Sequence, residues 1–164
     1  MTFSLKQMQA EHAAWSQFNF GKHPAWHPLL GMVEEIGELE EAIVLKNETE
    51  IKDSIADILI FMSDFCTYMN FDLEEISMQK VHSYRFRTRS SIIGRISHSY
   101  LKMDQGIRGT PEQHRNDISK GLSELYENLA LYCMYHDENL FEILEDTWNK
   151  VKQRNWKNNP TTGE

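Results

Sequence analysis

Apolar residues recur along this chain with the period of a helix, and no segment alternates as a strand would. Met32, Val33, Ile36, Leu39 and Ile43 line one face of a segment from about 29 to 45. Residues 58–62, Ile-Leu-Ile-Phe-Met, are apolar all round, the mark of a helix buried on every side. The pattern predicts helices near 4–17, 29–45, 50–69, 73–88 and 92–106, then from Pro111 to about 135 and from Asn139 to before Asn158. Asn19 to Pro28, rich in Pro and aromatic residues, reads as a loop. Asp72 with Glu75, Thr110-Pro111-Glu112-Gln113, and Asn139 with Glu142 are N-terminal capping patterns. The fold class is all-α, a helical bundle.

Two acidic clusters interrupt this pattern. Glu34, Glu35 and Glu38 fall within one quadrant of the second predicted helix, opposite its apolar face. By itself such a face reads as solvated surface. Asp53 and Asp57 stand one turn apart on the next helix, leading straight into the buried run 58–62. An Asp on a buried helix is rarely left unpaired. That helix holds no Arg, and its Lys52 points away from Asp57. Hard carboxylate oxygens from two facing helices suit Mg²⁺, which takes a few carboxylates together with substrate phosphates.

Composition narrows the class. The 164 residues suffice for one domain or two small ones, and 40% hydrophobic with 26% charged residues is ordinary for a soluble globular chain. The formal charge of −8 argues against nucleic acid as a partner. No apolar run approaches the roughly 20 residues that span a membrane, and Met1 to Met8 lack a signal peptide's apolar stretch. Cys66 and Cys133 lie in apolar helical runs and read as core thiols, which points to the cytoplasm. His23 and His27 flank Pro24, so their spacing is not that of a zinc pair on one helix. His82, His98, His114 and His136 show no clustering and are expected at the surface or an interface.

The chain also repeats itself. Asp72-Leu73-Glu74-Glu75-Ile76 matches Asn139-Leu140-Phe141-Glu142-Ile143, Cys66-Thr67-Tyr68 matches Cys133-Met134-Tyr135, and Arg87 matches Arg154, all 67 residues apart. Two tandem helical repeats follow: a unit over 1–90 carrying the acidic site, a degenerate unit over 91–158 packed on it, and a flexible tail, 159–164. In the second copy Glu34, Glu35 and Glu38 become His98, Ser99 and Lys102, Asp53 becomes Lys120, and Asp57 becomes Glu124. Lys102 is placed to neutralise Glu124.

These residues resemble the all-α nucleoside triphosphate pyrophosphohydrolases, the MazG-like proteins and their dimeric dUTPase and dCTPase relatives. The family's pattern is E-E-x-x-E on one helix and E-x-x-D on the next. Glu34, Glu35 and Glu38 match the first motif and Asp57 the end of the second, with Leu29 to Val33 and Ile58 to Phe61 also similar. The likeness covers about 15–90 well and 94–156 as a divergent copy. One position departs: the family's Glu three residues before the Asp is Ser54, and Asp53, on the face of Asp57, is expected to take its place.

The resemblance implies a Mg²⁺-dependent hydrolase (Mn²⁺ an alternative ion) that splits a nucleoside triphosphate into monophosphate and pyrophosphate, as in nucleotide-pool house-cleaning. It implies Glu35, Glu38, Asp57 and Asp53 as metal ligands, and Glu34 or Asp53 as the group that activates water. Lys80 and Arg87 match the family's basic positions for the phosphates, with Arg85, Arg89 and Arg95 close by. Trp15, Phe18, Phe20 or Trp26 are candidates for stacking on the base. A homodimer or higher homo-oligomer is expected. The competing reading is a catalytically weak or inactive paralogue that binds nucleotides as a structural partner, motivated by Ser54 and the eroded second copy.

Overall fold

A computed structural model describes residues 3–80 and 87–164, and among them every regular element is helical. The helices are α1 (Leu5–Phe20), α2 (Trp26–Leu45), α3 (Glu48–Met69), α4 (Leu73–Met78), α5 (Arg89–Asp104), α6 (Pro111–Tyr135) and α7 (Leu140–Val151). None is long and apolar enough to cross a membrane, among the described residues.

The expected caps form. Thr110 and Gln113 make a reciprocal capping box with Pro111 in the first turn of α6. Asp72 accepts from the backbone N–H groups of Glu74 and Glu75, and Asn139 from those of Phe141 and Glu142. Other limits move. Gly21, at φ 69°, ends α1 three residues later than the pattern indicates. α2 starts at Trp26 because Pro28 is tolerated in a first turn, where its missing N–H has no partner to lose. α4 stops at Met78, well short of 88, because Gln79 turns to extended backbone. Its side chain then crosses to α6, donating to Ser119 at 3.1 Å and accepting from Ser123 at 2.9 Å. His82 and Arg85 lie outside the described residues. α7 ends at Val151, after which the chain turns so that Asn155 N–H meets the Gly163 carbonyl. Residues 159–164 carry local bonds, with the Asn159 amide donating to Thr162 Oγ1 and to the Glu164 carbonyl.

α3 is the centre of the bundle. Ile55, Ala56, Ile58, Leu59, Met62, Phe65 and Cys66 on it are wholly buried. α2 packs on α3 and α5 on α6, whereas α7 packs mainly on α3 and α4 mainly on α6. The turns after α3 and α6 are built alike: Asn70 and Asp137 both take the left-handed conformation. The N–H groups of Phe71 and Glu138 donate back to the carbonyls of Cys66 and Cys133. Both cysteines are free and buried. Trp148 of α7 is buried, and its Nε1 donates to Glu11 of α1 at 3.0 Å.

The α2–α3 hairpin is set by two residues. Lys46, left-handed at φ 55°, ends α2, and Asn47 caps α3 by accepting from Glu50 N–H. In an antiparallel pair joined so tightly, residues equally far from the turn stand level. Gly31 and Phe61 do so, and a methyl group on Gly31 would meet the Phe61 ring at 2.5 Å. Gly31→Ala should therefore cost about 1–3 kcal/mol of overpacking strain. Phe61→Leu in the same chain should restore part of it. Urea unfolding of both variants checks this; an unchanged midpoint for Gly31→Ala would contradict the packing.

Candidate functional site

The hairpin register brings the two acidic clusters together. Glu35 and Glu38 stand level with the stretch of α3 that contains Asp53 and Asp57. Glu34, Glu38 and Asp53 are exposed, while Glu35 and Asp57 are half-buried between the helices. Burial pushes the Glu35 carboxyl up to about 8, with the charges of Asp57, Glu38, Glu34 and Asp53 adding to it in that order. Burial pushes Asp57 up to about 6; Asp53 and Glu38 raise it further, and the Arg154 guanidinium opposes them. Ser54 is buried, so the exposed carboxylate at this turn is Asp53.

Cations expected here go elsewhere. Lys52 pairs with Glu138 at 2.8 Å, away from Asp57 as its helical position indicates. Arg87 donates two bonds to Glu124 on α6, at 2.7 and 2.9 Å, and Arg95 lies 3.9 Å from the same carboxylate. Arg89 lies over the Tyr132 ring. Lys80 is exposed beyond the end of α4. Lys102 does not neutralise Glu124 as expected: its ammonium bonds Gln105 at 2.9 Å, and Arg87 fills that role.

Arg154, just after α7, was missed as a site residue. Arg87 acts on Glu124, and Arg154, 67 residues later, acts on Asp57, 67 residues before Glu124. The match between the two arginines was visible in the sequence, but not that each serves the other half's acid. Trp15 bears on the same point, since its Nε1 donates to the Arg154 carbonyl at 3.0 Å. Phe20, exposed, meets Trp15 edge-on at 5.6 Å. Phe18 carries Lys157 over its ring, and Trp26 packs edge-on to His27.

A second polar cluster was also missed. Asp64 lies two turns beyond Asp57 on the same stripe of α3 and is buried with His12 and Ser16 of α1. His23 Nε2 is 3.2 Å from Asp64 Oδ2 and 3.2 Å from Ser16 Oγ, and the Ser16 hydroxyl donates to Asp64 at 3.4 Å. Serine and carboxylate meet the same ring nitrogen, so this is no relay from acid through imidazole to nucleophile. It pins the loop after α1 onto α3. Burial, with the His23 charge, pushes His12 down to about 4. His114, expected at the surface or an interface, is buried within the bundle, with its Nε2 3.0 Å from the Ile107 carbonyl.

As they stand, no three ligating side chains among the described residues converge closely enough to grip a metal ion. The donor set nonetheless fits Mg²⁺, which needs only one or two direct carboxylates and keeps several waters. Comparison with protein-family models, curated proteins and solved structures finds no match for this chain.

Glu35 and Asp57 hold protons to higher pH in the folded chain than in the unfolded one. The folded state therefore binds more protons through that interval, and stability falls as pH rises across it. His12 works oppositely, between about 4 and its ordinary 6.5. From pH 6.5 to 8.5 the Glu35 contribution is left, so the melting temperature of metal-free protein should fall across that range. Glu35→Gln should flatten the slope, and millimolar Mg²⁺ should raise the melting temperature more at pH 8 than at 6.5. A flat profile for the unmodified chain would show Glu35 is not so perturbed.

Proposed function

We propose that this protein is a Mg²⁺-dependent nucleoside triphosphate pyrophosphohydrolase built as two related helical units, of the all-α type its motifs resemble. The observation that carries the reading is the α2–α3 carboxylate cluster, in which burial first, and then the neighbouring carboxylates, raise the proton affinity of Glu35 and Asp57. Carboxylates so crowded and half-buried beside the core favour a cation as the natural partner. The matched turns at Asn70 and Asp137 and the exchanged Arg–carboxylate partners support two related units.

Glu35, Glu38, Asp57 and Asp53 would hold the ion, which when bound would neutralise the triphosphate and polarise its phosphorus. Glu34 or Asp53, both exposed, accept a proton from the attacking water. Water adds across the α–β anhydride, that P–O bond breaks, and pyrophosphate leaves. Arg154 supplies positive charge beside Asp57, and the exposed Phe20 ring offers a stacking face for the base. The exposed Trp26, Leu30 and Val33 follow one stripe of α2 and favour a homo-oligomer. Two buried free thiols fit a reducing, cytoplasmic setting. Ser54 in place of a carboxylate favours a second reading, a weak or inactive nucleotide-binding partner.

Turnover with a panel of nucleoside triphosphates separates the two readings. Pyrophosphate should appear only with Mg²⁺ or Mn²⁺; orthophosphate with a diphosphate, or full activity in EDTA, would refute the hydrolase assignment. Glu38→Gln should abolish turnover and Asp53→Asn lower it on the order of a hundredfold. Ser54→Ala and Glu124→Gln should leave it nearly intact.

Arg154→Ala removes a guanidinium that opposes Asp57's raised proton affinity. The acid limb of the pH–rate profile should shift upward and KM should rise about tenfold, as for loss of a charge-assisted bond. Unchanged kinetics in that variant would exclude Arg154 from the site.

A further inference from the structure

The acidic site has a chemically inverted counterpart. Between α5 and α6 lies a cavity of about 410 Å³, lined among others by Arg95, His98, Ser99, Asp117, Lys120 and Glu124. A volume of this order holds a small ligand.

The charges in it are unevenly engaged. Glu124 accepts from Arg87 through both oxygens, so its charge is already met. Arg95, 60% exposed along its side chain, touches the same carboxylate only at 3.9 Å. Among the described residues, Lys120 and His98 form no hydrogen bond or ion pair. Asp117 is the remaining acid. Against a chain of net charge −8, this wall presents two available cations, an imidazole and the Ser99 hydroxyl toward one space. Arg95 and His98 come from α5, Lys120 from α6, so the donors approach from two sides. That arrangement suits a compact oxyanion with several charges, for which Arg gives a planar fork and Lys a point charge. A singly charged anion would gain too little to draw Arg95 from Glu124.

We propose that the α5–α6 cavity binds a phosphate-class polyanion, a pyrophosphate or the phosphate chain of a nucleotide, directly on Arg95, Lys120 and His98 with no divalent ion. The proposal does not rest on hydrolysis at the α2–α3 site.

The full chain is titrated calorimetrically with inorganic pyrophosphate in EDTA, a condition that silences any Mg²⁺-dependent binding. One pyrophosphate should bind per chain, more weakly as salt rises. The double variant Arg95→Ala, Lys120→Ala should lose at least tenfold in affinity, with Asp57→Asn binding as the unmodified protein does. Both side chains are exposed, and Lys120→Gln alone provides the same comparison should the double variant melt early. Displacement by a nucleoside monophosphate or triphosphate supports the site and makes a nucleotide its source. Bound pyrophosphate that neither nucleotide displaces supports it and makes the free anion its source. No binding at millimolar pyrophosphate overturns the proposal, as does binding that survives the double variant or is lost in Asp57→Asn.

Discussion

Two residues, Lys46 and Asn47, set the register on which the candidate site depends. The first takes the left-handed conformation that ends α2, and the second caps α3. With so short a connection the helices must pack side by side, and each residue's partner across the pair is determined by counting from the turn. Glu35 and Glu38 thus face the turn of α3 that bears Asp53 and Asp57. The lack of a side chain at Gly31 lets the Phe61 ring close against α2, drawing the backbones together. The same closeness excludes enough water to raise the proton affinity of Glu35 and Asp57.

Around that hairpin the chain is interlocked. α4 follows α3 in sequence but packs on α6, and α7 follows α6 but packs on α3. Arg87, after α4, accordingly meets Glu124 on α6, and Arg154, after α7, comes to bear on Asp57 of α3. Each central acid has a guanidinium from the other part of the chain. At Glu124 both carboxylate oxygens accept from Arg87 Nη1, which leaves little need for another cation. At Asp57 the Arg154 guanidinium faces several carboxylates, and burial with their charges still raises its proton affinity. The two places thus diverge in charge while sharing a plan of construction.

Local features were legible without coordinates. Helix starts at Asp72, Thr110 and Asn139 depend on a side chain reaching a backbone N–H two or three residues ahead, so sequence suffices to find them. The burial of Ile58, Leu59, Ile60 and Met62, with Phe61 partly buried, follows from an apolar circumference with no polar face to give to water. The direction of Lys52, away from Asp57, is helical geometry alone. The carboxylate cluster itself was readable because its members sit on neighbouring helices one short turn apart.

What the tertiary structure alone decided depends on contacts between distant segments. Nothing local stops α4 at Met78; Gln79 leaves the helix for hydroxyl partners on α6. Arg154 resembles any exposed arginine until the packing of α7 on α3, with Trp15 holding its carbonyl, carries it to Asp57. Asp64, His12 and His23 are far apart in sequence, on two helices and a loop, and become a buried cluster only when α1 and α3 meet. Sequence determines where helices begin, which face is apolar and which charges share a turn, since these are set within a few residues. Which helix a face buries against, and which charge is left without a partner, is settled by packing the whole bundle, since apolar burial is non-directional and names no partner.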